Sequence, residues 1–281
     1  MTRTPQQRSI RSRDVNLRCL DWPATSETDV PLLLLVHPNA TTAQVWQPFV
    51  DRSRWPGRCI APDMRGHGET PTGERPNSVD RWADDLANLI GGLEAGPAIV
   101  IGSALGATAA LLLATRRPKL VVAVVAGDTA YDLDVQLLRR VQRRIREEGW
   151  RASPEEAMAN YHAANHWDPS TRDWFMQQMF EPAGEGVRWR YDPDGVAEVM
   201  NPRPQSLLDE LRLACPVLLL RGEHSGPLTP EAFERLATAI PQARAETIAD
   251  ADHVLTLDAP EEFTNAVDDF LGTLHSAARN A

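Results

Sequence analysis

Gly102, Ala104 and Gly106 form a short frame in which residue type and spacing point to a particular chemistry. The apolar run before them, at 97–101, predicts a buried strand, and the Ala- and Leu-rich run at 105–115 predicts a helix. Two glycines around such a junction are typical of a nucleophile elbow, a turn that holds its middle residue strained and exposed at the helix N-terminus. That middle residue is normally serine. Here it is Ala104, so the frame is present and the hydroxyl is absent.

The chemistry that this turn supports is acyl transfer, which needs three further kinds of group. A base must deprotonate the nucleophile, an acid must orient the base, and N–H donors must stabilise the oxyanion. His253, which lies between the last expected strand and the last expected helix, is a histidine that could serve as this base. The near-neutral pKa of imidazole lets it accept a proton and return it to a leaving group.

These residues need a scaffold, and the sequence predicts one of alternating strands and helices. Strand patterns occur at 31–37, 58–63, 97–101, 120–126, 216–221 and 245–248. Helix patterns occur at 44–54, 78–92, 105–115, 230–239 and 260–275. This alternation predicts an α/β fold with a doubly wound, mostly parallel sheet, preceded by an antiparallel hairpin at about 5–22.

The alternation is interrupted by residues 131–210, which are rich in charged and aromatic side chains and contain no apolar strand pattern. We therefore expect three or four inserted helices that form a cap, with the core made of 1–130 and 211–281. His162 and His166 are spaced by four residues in this segment. Without a third ligand in the pattern, we expect no metal site.

The composition limits the classes of partner. The 281 residues carry a formal net charge of −10, which argues against binding to nucleic acid or to an anionic membrane. No apolar run reaches the roughly 18 residues of a membrane helix, and the charged N-terminus lacks the apolar core of a secretory signal. Three dispersed cysteines argue against a disulfide framework. We expect a cytoplasmic protein with a small-molecule partner, and a homodimer stays open.

Landmarks at the ends of expected strands make the chain similar to the α/β-hydrolase superfamily over nearly its whole length. They are His-Pro-Asn at 37–39, Pro-Asp-Met-Arg-Gly-His-Gly at 62–68, the elbow, the inserted segment and Asp-His at 252–253. The resemblance implies an α/β-hydrolase fold with a helical cap over the site. It also implies hydrolysis of an ester, lactone or related acyl bond by a Ser-His-Asp mechanism, with His253 as the catalytic histidine and no cofactor.

The resemblance offers two places for the orienting acid. In the commoner place, the loop after 216–221, Ser225 stands where the acid usually lies, and Glu223 is the alternative nearby. Some members instead carry their acid after the strand at 120–126, where this chain has Asp128. We therefore expect Asp128 to orient His253, with Glu223 as the alternative.

The resemblance further implies which groups meet the oxyanion and the substrate. The oxyanion donors are the backbone N–H of Leu105 and that of Asn39, since the neighbouring Pro38 has no N–H. A cap roofs the pocket, so aromatic side chains are expected to contact the substrate. The candidates are Trp46, Trp167, Trp174 and Trp189. An aromatic lining favours an apolar, ring-bearing ester or lactone.

Loss of a triad nucleophile lowers turnover by a factor of about 10⁶, so the alanine at position 104 needs an explanation. Three are open. In the first, the chain is a serine-to-alanine form that traps a ligand, which the intact His253, Asp128 and Asn39 favour. In the second, the loss is natural and leaves a ligand-binding protein or a His253-dependent, cofactor-free lyase, cyclase or oxygenase. In the third, Ser103 attacks instead, although one residue from the apex of the turn its side chain points elsewhere.

Overall fold

The strands and helices follow the order that the sequence predicts. The computed structural model describes residues 2–129, 131–148, 153, 158 and 167–279. The strands in this part of the chain are β1 (Gln6–Ser12), β2 (Val15–Trp22), β3 (Leu32–Val36), β4 (Cys59–Pro62), β5 (Ala98–Ser103), β6 (Val121–Gly127), β7 (Phe180–Ala183), β8 (Gly186–Trp189), β9 (Val217–Gly222) and β10 (Ala243–Ile248). The α-helices are α1 (Gln47–Arg52), α2 (Val79–Leu93), α3 (Leu105–Arg116), α4 (Val135–Glu148), α5 (Pro169–Met179), α6 (Pro193–Val199), α7 (Leu207–Glu210), α8 (Pro230–Ala239), α9 (Leu255–Asp258) and α10 (Pro260–Arg279). Short 3-10 helices occupy Ala43–Trp46 and Pro118–Leu120.

One sheet runs through the described chain in the order β1-β2-β4-β3-β5-β6-β9-β10. Within this sheet β4, β3, β5, β6, β9 and β10 pair in parallel, whereas β1 and β2 form the expected antiparallel hairpin, and β2 pairs antiparallel with β4. This arrangement confirms the predicted doubly wound, mostly parallel α/β sheet. The carboxyl ends of its parallel strands meet at one edge, where α/β folds place their ligands.

The central strands contribute side chains to a hydrophobic core on each face of the sheet. Every residue of β3 is buried, and alternate side chains point to opposite faces. Leu33 and Leu35 join one core with side chains from α1 and α10, while Leu32 and Leu34 join a second core with side chains from α2 and α3. A strand buried on both sides reads as a continuous apolar run, which is the pattern in the sequence.

The inserted segment differs in part from the expected set of helices. It contains α4, α5, α6 and α7, but also an antiparallel hairpin of β7 and β8, in which Phe180 pairs with Trp189. Gly184, with φ 59°, makes the turn between these strands. Each strand has only four residues and mixes charged with apolar side chains, so the apolar-run criterion misses it. The division into a core of 1–130 and 211–281 and a cap of 131–210 stays a prediction.

Backbone hydrogen bonds attach the inserted segment to the loop that follows β4. Gly68 N donates to Arg190 O at 2.7 Å, and Asp192 N donates to Gly66 O at 2.8 Å. The same loop is held to the core by half-buried Asp63, whose carboxylate accepts from the backbone N–H of Ala43 and of Glu69. Among the described helices, none is long and apolar enough to cross a membrane.

Candidate active site

The turn between β5 and α3 consists of one residue, Ala104. Its φ of 50° and ψ of −116° form a backbone conformation that costs a residue with a Cβ about 1–3 kcal/mol. The flanking glycines are required by close packing. A Cβ on Gly102 would lie 2.4 Å from the carbonyl oxygen of Gly106, and a Cβ on Gly106 would lie 2.3 Å from that of Val36. The glycine frame therefore makes the tight, strained turn that its spacing predicts.

His253 and Asp128 lie in contact at the carboxyl edge of the sheet. His253 belongs to the loop between β10 and α9, and Asp128 follows directly after β6. The distance from His253 Nδ1 to Asp128 Oδ1 is 2.7 Å, and Asp128 is fully buried. Two more donors fix the carboxylate: Gly222 N donates to Oδ2 at 2.7 Å, and Ser225 Oγ donates to Oδ1 at 2.6 Å.

Of the two candidate acids, the structure brings Asp128 to the imidazole. Glu223 is exposed, and its carboxylate accepts from the backbone N–H of Asp250 at 3.0 Å. Ser225 occupies the place from which the commoner acid would reach the histidine, and it contacts Asp128 there. Since Asp128 accepts at the Nδ1 side of His253, Nε2 is the ring nitrogen that remains for proton transfer.

The electrostatics of this pair favour the charged imidazole. Burial lowers the pKa of His253, but the hydrogen bond and the negative charge of Asp128 outweigh it, and the pKa is raised above its usual 6.5. About a quarter of the His253 side chain stays exposed. A base with a raised pKa next to a buried carboxylate is the arrangement expected of a proton-transferring pair.

The two predicted oxyanion donors border the same space as His253. Leu105 begins α3, and the first N–H groups of a helix have no acceptor within that helix. The side chain of Asn39 is held in place, since Nδ2 donates to Val196 O at 3.2 Å and Oδ1 lies 3.1 Å from His67 Nε2. These contacts fix the loop that presents the Asn39 backbone.

A cavity of about 430 Å³ lies between the elbow, the predicted oxyanion donors and the predicted base. Ala104, Leu105, Asn39 and His253 all line it, and Asp128 lies buried behind His253. Its volume is in the range of small-molecule sites, and most of its lining is apolar. One wall comes from α4, through Leu137, Leu138, Val141, Arg144 and Ile145.

Sequence reasoning missed this wall of the cavity. The apolar residues at 137, 138, 141 and 145 recur at helical spacing on an otherwise charged helix, and this periodicity is the signal that could have found them. Tyr131 and Met200 are further lining residues that had not been singled out.

Of the four tryptophans expected at the substrate, only Trp189 lines the cavity among the described residues. Trp46 is fully buried between Phe49 and Phe263, with ring centroids 6.0 and 6.2 Å away, so it packs the core. The expectation that Trp46 contacts the substrate is therefore wrong. Trp46 lies near the loop of Asn39 in sequence, but its indole packs into the core and does not line the cavity.

Trp167 and Trp174 also lie outside the lining of the cavity. Trp167 is buried against Phe175 at a centroid distance of 5.0 Å, and half-buried Trp174 packs against the same hydrophobic core. Ser103, the alternative nucleophile, is buried and does not line the cavity either. His162 and His166 lie outside the described residues.

The sequence matches the model of the alpha/beta hydrolase family over residues 33–266. This match covers most of the chain, and together with the sheet order, the elbow and the His253–Asp128 pair it defines the class. The chain belongs to the alpha/beta hydrolase family.

Individual relatives are hydrolases of similar length. The chain is 26% identical over 263 residues to 2-(acetamidomethylene)succinate hydrolase of Mesorhizobium japonicum, covering 92% of this chain and 95% of that protein. It is 22% identical to 3-oxoadipate enol-lactonase 2 of Acinetobacter baylyi, covering 92% and 94%. A crystal structure of E-2-(acetamidomethylene)succinate hydrolase superposes with a TM-score of 0.83 at 24% identity, covering 95% of this chain and 99% of that one.

Proposed function

We propose that this chain is a nucleophile-less form of a hydrolase that cleaves an ester, lactone or related acyl bond in an apolar, aromatic small molecule. The observation that carries the proposal is the His253–Asp128 pair, held at 2.7 Å and bordering the cavity that also contains Ala104. A serine hydroxyl at this strained turn would use such a pair as its base and orienting acid.

The proposed mechanism assigns a task to each residue of the site. In the Ala104→Ser form, His253 Nε2 takes the proton of the new hydroxyl as its oxygen attacks the acyl carbon. The N–H groups of Leu105 and Asn39 stabilise the resulting oxyanion, and His253 then protonates the leaving group. Asp128 orients the imidazole and stabilises its charged form. Water hydrolyses the acyl-enzyme by the same route.

The lining of the cavity supports the proposed substrate class. Apolar side chains from α4, the stacked rings of Trp189 and Tyr191, and Met200 surround a volume suited to a single ring with a short acyl chain. The relatives named as an enol-lactonase and as a hydrolase of 2-(acetamidomethylene)succinate support acyl-bond hydrolysis. A cytoplasmic location and a homodimer stay predictions.

Ala104 itself favours a second function for the chain as it stands, which is ligand binding without turnover. The cavity and the oxyanion donors do not depend on the hydroxyl, so a substrate would bind and remain intact. The proposed hydrolase and the proposed binder differ only in the side-chain oxygen at position 104.

The experiment compares the chain as it stands with Ala104→Ser and with Ala104→Ser/His253→Ala. Each is assayed on p-nitrophenyl esters of increasing acyl size and on aromatic lactones. We expect turnover in Ala104→Ser that is lost in the double variant, because a hydroxyl without its base stays unreactive. A folded Ala104→Ser protein without turnover on any compound contradicts the hydrolase proposal. Turnover by the unaltered chain that depends on His253 points instead to base-driven lyase or oxygenase chemistry.

A further inference from the structure

The carboxylate of Asp258 lies at the end of α9 and contacts two parts of the protein that are far apart in sequence. Val254 N, in the peptide bond that follows His253, donates to Asp258 Oδ2 at 2.8 Å. Trp167 Nε1, in the inserted segment, donates to Asp258 Oδ1 at 2.6 Å. Each carboxylate oxygen therefore accepts from a different segment of the chain.

The bond from Val254 N acts on the histidine that the mechanism uses. Asp258 N in turn donates to Val254 O at 2.9 Å, so side chain and backbone together close a ring around the first turn of α9. The Val254 N–H belongs to the same peptide plane as the carbonyl of His253. Fixing that plane limits where the His253 side chain can point.

The bond from Trp167 connects the same carboxylate to the inserted segment. Trp167 is 8% exposed and precedes α5, and its ring packs on Phe175. Trp167 does not line the cavity, and its hydrogen bond to Asp258 directly connects this part of the inserted segment to the histidine loop.

We propose that Asp258 is a positioning residue that couples the inserted segment to the orientation of His253. The catalytic consequence rests on the proposed function, whereas the coupling itself is a property of the chain as it stands. Asp258 does not line the cavity. Its charge raises the pKa of His253 through space, and its hydrogen bond to Val254 N is the contact that positions the histidine loop.

The charges around Asp258 suit this role. Burial is the largest effect on the pKa of Asp258 and, with the charge of Asp252, outweighs the N–H donors of Trp167 and Val254 and the charge of His253, so the pKa is raised to about 6. At neutral pH the carboxylate is ionised and accepts from both donors. An uncharged amide at this position presents one oxygen and one NH2 group, so it can accept from only one of them.

The test measures the Nδ1–H proton signal and the pKa of His253 by NMR in the unaltered chain, Asp258→Asn and Trp167→Phe. Trp167→Phe removes a donor and no charge, so a change of the His253 signal in this variant reports coupling through the bond and not through space. Asp269→Asn, at an exposed position of α10 beside Arg54, is the matched control for loss of one carboxylate. We expect the signal to broaden or shift in Asp258→Asn and Trp167→Phe and to stay in place in Asp269→Asn.

The same changes in the Ala104→Ser background give the catalytic readout. We expect Asp258→Asn to lower kcat about 10-fold with little effect on KM, because a misplaced base slows chemistry more than binding. An unchanged His253 signal and pKa in Trp167→Phe overturns the proposal, whether or not Asp258→Asn folds. If Ala104→Ser shows no turnover, the hydrolase proposal fails while the NMR comparison still decides the positioning role.

Discussion

Ser225 Oγ and His253 Nδ1 meet the same oxygen of Asp128, at 2.6 and 2.7 Å. The loops after β6 and β9 thus converge on one point beside the imidazole, because these strands are neighbours in the sheet. The carboxylate reaches that point from β6, and Ser225 stands where a carboxylate from β9 would stand. An acid after β6 and an acid after β9 would thus meet the imidazole at the same point, although they lie far apart in the sequence.

This geometry predicts that the acid can be moved back. In the Ala104→Ser background, Asp128→Asn should lower kcat by about 10⁴, because the imidazole loses its orienting charge. Adding Ser225→Asp to that variant should restore at least 10-fold of the loss, since a carboxylate at 225 lies within reach of His253. Steady-state kinetics on one ester measure both steps. Failure of the added Asp to restore activity in a folded protein argues that the loop after β9 cannot supply the acid.

The strain at Ala104 predicts a gain in stability on substitution. Ala104→Gly should raise the free energy of unfolding by about 1 kcal/mol, because glycine adopts φ 50° without a steric penalty and loses part of the gain to chain entropy. Urea unfolding measures the change. Ala110→Gly, inside α3, is the matched control and should destabilise by about 1 kcal/mol or more. Equal losses in both variants would mean that the turn stores no strain.

Gly106 predicts the opposite response to an added methyl group. Gly106→Ala should destabilise by about 3 kcal/mol or prevent folding, because its Cβ meets the backbone oxygens of Val36 and His37 at 2.3 and 2.6 Å. Gly91→Ala is the control: a Cβ there meets nothing within 4 Å, and it lies in α2. We expect Gly91→Ala to stabilise by up to about 1 kcal/mol in thermal unfolding.

Buried His37 predicts loss of stability in acid. Burial lowers its pKa to about 4, and its Nε2 accepts from Met64 N at 2.9 Å, so the folded state keeps it neutral. The unfolded chain binds the proton already at the ordinary 6.5. The stabilisation is therefore present above pH 6.5 and is lost as the pH falls toward 4, by about 3 kcal/mol.

The measurement is urea unfolding between pH 7.5 and 4 for the unaltered chain and for His37→Gln. The variant should show a shallower loss of stability in this range. His224→Gln, with a largely exposed ring, is the control and should leave the slope unchanged. A parallel loss in all three proteins would assign the acid sensitivity to other groups.

His253 predicts a pH dependence of the opposite sign. Its pKa is raised, with Asp128 outweighing burial, so its pairing stabilises the fold fully below pH 6.5 and loses this effect as the pH rises through the folded pKa. In the Ala104→Ser form, kcat/KM should rise with pH over the same window, because the base must be neutral. Asp128→Asn should move both profiles to lower pH. Profiles that stay in place in this variant contradict the pairing as their cause.

The sequence by itself determined the scaffold and the turn. The strands β3, β5, β6 and β9 are buried on both faces, so their burial is written as continuous apolar runs that need no knowledge of the partner strand. The elbow at Ala104 is likewise local, since the need for glycine on both sides arises within a few residues. Periodicity misses the hairpin of β7 and β8 because its strands are short and polar.

Only the tertiary structure decided which side chains converge. Asp128 and Glu223 both follow strands that end at the same edge, and the direction of each side chain, set by packing, separates them. Trp46 and Trp189 share a residue type, but one fills the core and the other borders the cavity. The contact of Trp167 with Asp258 spans 91 residues. Contacts at such separation depend on how packed elements are placed in space, and no local pattern records that placement.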